Sequence, residues 1–346
     1  MATHKALVLP EKFGKFVVRD VPTPKAGPGE LLVEVRATSL NPIDWKAQEY
    51  GIAITEYPAV LGLDAAGVVK EVGEGVAGFA AGDQVLYQGS IAITQANFQQ
   101  YSIVPAEITA KLPSNFTLEQ AAAIPSVFIT AAFGLYNGQT ATGELRGAGL
   151  TPPWEEGGRS KYAGTPILII GGSSSVGQQV IQLAKLSGFS PIIATASLKN
   201  TDFLKSLGAT HVIDRNAPLA PSVKAIISEP IKYIYEAISL KETQDAAYEL
   251  LAPGGTLILV LPTVLDEKNA DKSKILAQVF ASAHDPKQRK AGVKLYKNLT
   301  ALLESGAIKP NHVEVLPNGL SGIPEGLERL KADKVSATKL VAQPWA

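Results

Sequence analysis

A chain of 346 residues is too long for one ordinary domain and points to two. Hydrophobic residues make up 46% and charged residues 18%, which excludes a disordered chain, and 32 basic residues cancel 32 acidic ones, which leaves no field to draw in nucleic acid or an anionic membrane. Cysteine is absent, so disulfides, thiolate nucleophiles, iron–sulfur clusters and thiolate metal sites are excluded together.

At the start of the chain, His4 and Lys5 precede only a short apolar run, and no window reads as a membrane span, so the expected compartment is the cytoplasm. From Ala6 to about Leu112, short apolar runs broken by Gly and Pro predict a β-rich, barrel-like unit. Leu31, Val33, Val35 and Ala37 alternate with Leu32, Glu34, Arg36 and Thr38, which predicts one core face and one largely polar face. Ala65 to Val72, Val85 to Tyr87 and Tyr101 to Val104 read as further strands. Leu118 to Ala123 and Val127 to Tyr136 suit helices, and the Gly, Pro and Thr-rich stretch from Asn137 to Pro166 reads as a long loop.

Alternation follows: strand Ile167 to Ile170, helix Val176 to Leu186, strand Pro191 to Ala196, helix Thr201 to Leu207 and strand His211 to Ile213. It continues with a helix near Ser222 to Ser228, strand Tyr233 to Tyr235, helix Gln244 to Leu251 and strand Thr256 to Leu261, which predicts βαβ units around a parallel, doubly wound sheet. The amphipathic stretch Lys287 to Leu303 is expected in or beside that sheet domain, and the tail with Val313, Val315 and Lys339 to Val341 is expected to return to the β unit.

The sharpest motif runs from Pro166 to Gln178. A buried strand, a turn of small residues and a helix start aim backbone N–H groups and the positive end of the helix dipole at a pyrophosphate. A serine replaces the middle glycine of the G-x-G-x-x-G spacing; Ser173, Ser174, Ser175 and Val176 are the expected contacts, and Gly177 lets helix and strand approach. After the next strand, where an NAD site usually offers Asp or Glu, the chain has Ala196, Ser197, Leu198, Lys199 and Asn200. Ser197 and Lys199 can donate to a 2′-phosphate and Arg215 can stack on adenine or add charge, so NADPH is the expected cofactor.

Asn41-Pro42-Ile43-Asp44-Trp45-Lys46, the segment Val60 to Val68, the Gly171 to Gly177 turn and Leu207 to His211 together resemble the medium-chain dehydrogenase/reductase superfamily. Within it, they resemble the zinc-independent quinone and enoyl reductases, and the fungal trans-acting enoyl reductases in particular. The resemblance implies a GroES-like β-rich domain, residues 1–125 completed by 305–346, and a Rossmann-type doubly wound domain, residues 126–304, with the cofactor in the cleft between them. It also implies that zinc-dependent relatives carry a cysteine near the position of Asn41, a His–Glu pair at Leu63 and Asp64, and another cysteine near Pro125 or Ser126. Asn41, Leu63 and a proline or serine cannot form such a cage. Without that Lewis acid, adding hydride to an electrophilic conjugated C=C is favoured over alcohol oxidation.

By the same resemblance, Asn41, Pro42, Ile43 and Asp44 lie beside the nicotinamide end and Thr130 near its ribose or phosphate. Val260 and Leu261 flank the ring, and Lys334 and Val335 close over the cofactor. Tyr50 is the candidate proton donor, Lys46 binds the ribose or the enolate, and solvent is the alternative proton source. Each has a bland reading as well, Asn41 as a turn cap, Thr130 as a back-bonded helix residue and Val260 as strand filler. The loop from Gly138 to Gly164, with Trp154 and Tyr162, is either a lid over the substrate or simply mobile. His4, His211, His284 and His312 have no metal-ligand spacing. The expected function is an NADPH-dependent enoyl or alkene reductase acting on a small enone or enoyl thioester, or on a carrier-bound polyketide intermediate, as a monomer or homodimer. A quinone reductase and an NADPH-binding scaffold without turnover are the rivals.

Overall fold

The computed structural model describes residues 2–139, 144, 146–266 and 271–346. In chain order the first elements are β1 (Thr3–Leu9), β2 (Val17–Pro22), β3 (Glu30–Ser39), α1 (Pro42–Tyr50), β4 (Ala59–Val60), β5 (Asp64–Val72), β6 (Gln84–Gln88), β7 (Tyr101–Pro105) and β8 (Thr109–Lys111). Helices α2 (Leu118–Ala122) and α3 (Pro125–Tyr136) precede β9 (Ile167–Ile170), α4 (Ser175–Ser187), β10 (Ile192–Ala196), α5 (Thr201–Leu207), β11 (His211–Asp214) and α6 (Leu219–Lys224). Then come β12 (Ile231–Glu236), α7 (Lys241–Leu250), β13 (Leu251–Leu259), β14 (Ile275–Gln278), α8 (Arg289–Glu304), β15 (His312–Val315), α9 (Gly319–Lys331) and β16 (Thr338–Ala342).

The first compact unit takes the chain up to Ser126, Ser282–Ser305 and Pro310–Ala346; the second takes Val127–Ala281 and Gly306–Lys309. Thus α8, assigned by sequence to the sheet domain or its border, clusters with the first unit. That unit is the GroES-like β-rich half of a mixed α/β fold, a seven-stranded sheet in the order β15-β16-β3-β5-β6-β8, with β7 on β3, and a three-stranded sheet β2-β1-β4. Its core joins both chain ends, with Leu7 and Phe98 packed among Leu320, Ile323, Leu327 and Leu340.

The alternation in β3 predicts a polar face, yet between Leu31 and Ser39 only Arg36 is exposed. The tail runs against this strand: Trp345 Nε1–H donates to Val35 O at 3.0 Å and the Arg36 guanidinium lies over the Trp345 ring. Glu34, 5% exposed, is accommodated because Arg36 and Lys70 pair with it, Lys70 at 3.0 Å. Two helices have no counterpart in the sequence reading. α1 starts with Pro42 just after the cap Asn41, where a missing N–H costs nothing, and stops at Gly51 in the left-handed region, φ 62°. α9 carries Pro324 inside it, a residue that reads as a breaker, but its Leu320, Ile323 and Leu327 bury one stripe.

The second unit is a six-stranded parallel sheet in the order β11-β10-β9-β12-β13-β14, a Rossmann-type arrangement in which strand order reverses at β9. Leu168, Ile193, Ile234 and Leu257 fill its centre. Helix α6 begins and ends earlier than the periodicity suggests, because Pro221 suits a first turn and Pro230 discourages helix just ahead of it. The stretch Leu118–Tyr136 has the length and mean hydropathy, 1.4, of a membrane span, contrary to the sequence reading, but 78% of its window is buried inside the fold and Pro125 starts a second helix there.

Residues 140–143 and 145 of the long loop lie outside the described residues, and the stretch 146–166 is held by ring contacts and backbone hydrogen bonds. Tyr162 stacks on Phe189 with centroids 4.9 Å apart, and Trp154 packs edge-on against Tyr136 at 5.2 Å. The N–H groups of Ser160 and Tyr162 donate to the carbonyls of Leu186 and Ser187, at the C-terminal end of α4. The loop is therefore fastened about 20 Å of helix away from the N-terminus of α4, and aromatic burial holds it there.

Candidate functional site

The turn after β9 is shaped by what it lacks. Gly171 has φ 79°, and a Cβ there would fall 2.5 Å from Ile238. At Gly177 a Cβ would fall 2.2 Å from the Gly171 carbonyl oxygen and 2.9 Å from Gly172 Cα, so the first turn of α4 lies directly on the strand exit. Ser174 is the N-cap, its Oγ accepting the Gly177 N–H at 3.0 Å. Ser173, Ser175 and Val176 are half-buried on the same turn, at the start of a 13-residue helix. Glycines with no room for a side chain and a helix N-terminus at a sheet switch point fit a dinucleotide pyrophosphate.

Ser197 follows β10, half-buried and extended, while Lys199 and Arg215 are exposed. The Arg215 N–H donates to Ala196 O at 2.9 Å, so the ends of β10 and β11 are joined. The same pairing brings Asp214 into register with Ala196, a carboxylate that the sequence reading did not weigh; its Oδ1 is engaged by the Asn216 N–H at 3.0 Å. Val260 and Leu261 lie just past the carboxyl end of β13, Leu261 donating its N–H to Ser239 Oγ at 3.2 Å. Thr130 is half-buried in α3, and its carbonyl accepts the Tyr235 hydroxyl at 2.7 Å.

In the first unit a polar cluster is buried where β3, α1, β5, the start of α3 and β16 meet. Asp64, 0% exposed, accepts Ser39 Oγ–H at 2.9 Å and Asn41 Nδ2–H at 2.8 Å on one oxygen, and the Ser126 N–H at 2.6 Å on the other. Lys339 Nζ donates to Asn41 Oδ1 and lies 3.5 Å from Asp64. Asp44 accepts the Asn41 N–H at 2.7 Å, closing the helix cap. Burial pushes the Asp44 carboxyl up to about 7, with Asp64 adding to the rise and the Asn41 and Gly62 N–H groups and Lys339 opposing it. Burial holds Lys339 below the usual lysine range against the pull of Asp64 and Asp44. Beside Asp44 lies a small recess lined by Ile43, Ala47, Ala53, Leu61, Leu63 and Ile91.

The structure thus brings together Asn41 and Asp44, with Pro42 and Ile43 on the same helix start, while other candidates stand elsewhere. Lys46 is half-buried with its Nζ 5.6 Å from the Trp45 ring centroid, and burial lowers its pKa. Tyr50 is 55% exposed at the far end of α1, its ring edge-on to Trp45. Lys334 is exposed in the turn after α9, and Val335 packs on the core. Three cluster members, Ser39, Asp64 and Lys339, went unassigned by sequence. Asp64 stood only as the counterpart of a metal-site acid, and Lys339 read as a strand residue; its signal was a lone lysine opening an apolar run, Lys339-Leu340-Val341.

A GroES-like sheet unit and a Rossmann-type unit with a phosphate cradle define a two-domain, dinucleotide-dependent oxidoreductase. The alcohol dehydrogenase GroES-like domain profile matches residues 27–114, and the zinc-binding dehydrogenase profile matches residues 175–272. The chain is 31% identical to a zinc-type alcohol dehydrogenase-like protein of Schizosaccharomyces pombe, over 98% of this chain and 99% of that one. It is 33% identical to the trans-enoyl reductase himH of Aspergillus japonicus, over 91% and 89%. A crystal structure of an alcohol dehydrogenase superfamily protein from Novosphingobium aromaticivorans is similar with a TM-score of 0.80 and 26% identity, over 98% and 99%. The chain belongs to the medium-chain dehydrogenase/reductase superfamily, whose members use NAD(P).

The residues present do not fit a catalytic zinc. Among the described residues no group of three or more His, Asp or Glu side chains is placed to hold a metal. Asn41 and Ser126 are tied to Asp64, Leu63 has no donor atom in its side chain, and an ammonium stands beside them.

Proposed function

We propose that the chain is an NADPH-dependent, zinc-independent reductase of C=C bonds conjugated to a carbonyl, acting on a small enone or enoyl thioester. The observation that carries this reading is the donor set around Asp64, an amide, an ammonium and a backbone N–H where a zinc site needs imidazole and thiolate. An alcohol gives up hydride only as its proton is removed, with a bound metal or a dedicated base to help, whereas a conjugated alkene is already electrophilic. The bound dinucleotide supplies the hydride.

The chain's own residues would bind and orient. The turn Gly171 to Val176 and the first N–H groups of α4 cradle the pyrophosphate, with Gly177 keeping helix and strand close enough to form it. Ser197, Lys199 and Arg215 meet the 2′-phosphate, two cations against the one carboxylate of Asp214. Thr130, Val260, Leu261, Lys334 and Val335 are assigned to the nicotinamide half by family resemblance. The exposure of Tyr50 favours solvent as the source of the α-carbon proton. The name of the himH relative supports an enoyl acceptor.

The experiment is to follow reduced-nicotinamide absorbance with NADPH or NADH while adding an enone, an acyl-chain enoyl thioester or a quinone. Oxidation of NADPH by the first two acceptors is expected. Oxidation by the quinone alone would make the chain a quinone reductase, and saturable NADPH binding with no acceptor consumed would make it a scaffold.

A further inference from the structure

Lys339 has no task in the reaction just described, yet it is costly to keep. It is 4% exposed, on a strand whose next residues Leu340, Val341 and Ala342 are all buried. A buried ammonium is tolerated only when paired and hydrogen-bonded, and here both conditions are met by Asp64 and Asn41. An asparagine amide has two ends of opposite character, and its orientation follows its partners. An ammonium only donates and a carboxylate only accepts, so Lys339 on the oxygen and Asp64 on Nδ2 permit one orientation. Asp44, also buried, adds a second acidic group that the same ammonium faces. The remaining partners of Asp64 are the neutral donors Ser39 and Ser126.

We propose that Lys339 is the fixed cation of this site and a positioning residue: its ammonium neutralises Asp64 and orients the Asn41 amide, and it closes to metal the place where zinc-containing relatives hold theirs. The inference rests on the zinc-independent reading above. Asn41 in turn caps α1 and is the residue that the reductase reading sets beside the nicotinamide, so the arrangement fixes that end of the helix.

Lys339→Met, Lys339→Arg, Asp64→Asn and the double variant Lys339→Met/Asp64→Asn test it in the full chain. Thermal melting needs no acceptor. Each charge-removing single variant is expected to melt on the order of 10 °C lower, since it strands a buried charge, and the double variant to regain at least about half of that loss. Additive losses would overturn the pairing; a single variant that fails to fold while the double folds supports it, and failure of both counts against it. For positioning, NADPH affinity is expected within about threefold of the wild type throughout. The kcat should fall at least about tenfold in Lys339→Met and in the double variant, and Lys339→Arg should recover most of it. Full turnover in the double variant would sink the positioning role. Titrating the wild-type protein with zinc should reveal no tight site, and one tightly held equivalent would refute the metal exclusion. A wild-type protein that consumes no acceptor overturns the reductase reading alone, because the melts and the zinc titration do not depend on it.

Discussion

Asp44 gives the most quantitative test, because its carboxyl is 2% exposed and the fold resists its ionisation. The perturbation is Asp44→Asn, compared with the wild type between pH 3 and pH 8. Burial raises the carboxyl from 3.8 to about 7. The folded protein therefore keeps a proton that the unfolded chain releases, so this group's contribution to stability is full below about pH 4, is lost as pH rises towards 7 and stays flat beyond. About three tenfold steps at about 1.4 kcal/mol each come to roughly 4 kcal/mol. The replacement amide still offers an oxygen to the Asn41 N–H, 2.7 Å away in the wild type, but cannot ionise. The assay is the urea midpoint at closely spaced pH values, read as variant minus wild type. Carboxyls held low by ion pairs, Asp83 by Lys111 and Glu314 by Arg329, slope the opposite way in both proteins and cancel in that difference. A difference that climbs between about pH 4 and 7 and then levels off is expected. Parallel curves would show that Asp44 is not strained by burial, and a difference that falls with pH would reverse the sign of the argument.

Gly177→Ala drives a Cβ to 2.2 Å from a backbone oxygen that cannot yield, so stability should fall by about 1–3 kcal/mol and the NADPH dissociation constant, by fluorescence titration, should rise at least about tenfold. Gly254→Ala, at φ 72° with open space around it, is the control; it should cost about 1 kcal/mol and leave binding alone, and unchanged binding in both would remove the turn from the site. Lys199→Glu should weaken NADPH at least about tenfold more than NADH, because it sets a carboxylate against a phosphate. Equal losses would detach Lys199 from the 2′-phosphate. Tyr50→Phe should leave the melting temperature unchanged and kcat within about twofold, since the ring is largely in solvent; a tenfold fall would bring Tyr50 back to the reacting centre.

The second unit was largely legible because its central strands β9 and β10 are buried throughout and α4 is bounded by a serine cap and a glycine. Ile167–Ile170 and Thr201–Leu207 fall where their patterns place them. The turn after β9 was legible as a shape because strand, glycine, N-cap and helix are consecutive in the chain. The Asp64 cluster was not, since it is assembled from Ser39, Asn41, Asp64, Ser126 and Lys339, and nothing local marks residues so far apart as neighbours. Asp214 escaped notice likewise, because register between β10 and β11 brings it beside Ala196. Helix α1 is short on apolar periodicity, and in α9 the stripe Leu320, Ile323 and Leu327 is masked by Pro324 and three glycines, a local bias that tertiary burial overrides. The stretch after Asn137 reads as a loop and is one, but its lack of periodicity hides that Trp154 and Tyr162 anchor residues 146–166 by ring contacts.

The antiparallel pairing of β16 with β3, Val341 opposite Ser39, has a consequence for biosynthesis. A ribosome delivers β3 early and must read roughly 300 further codons before its partner emerges, as the 298-residue separation of Asn41 and Lys339 measures. The second unit, nearly contiguous from Val127 to Ala281, is free to fold in that interval, domain by domain. A frameshift late in the message would then yield a polypeptide with a sound nucleotide-holding half and a raw strand edge on the other, a species prone to aggregate before it could ever turn over.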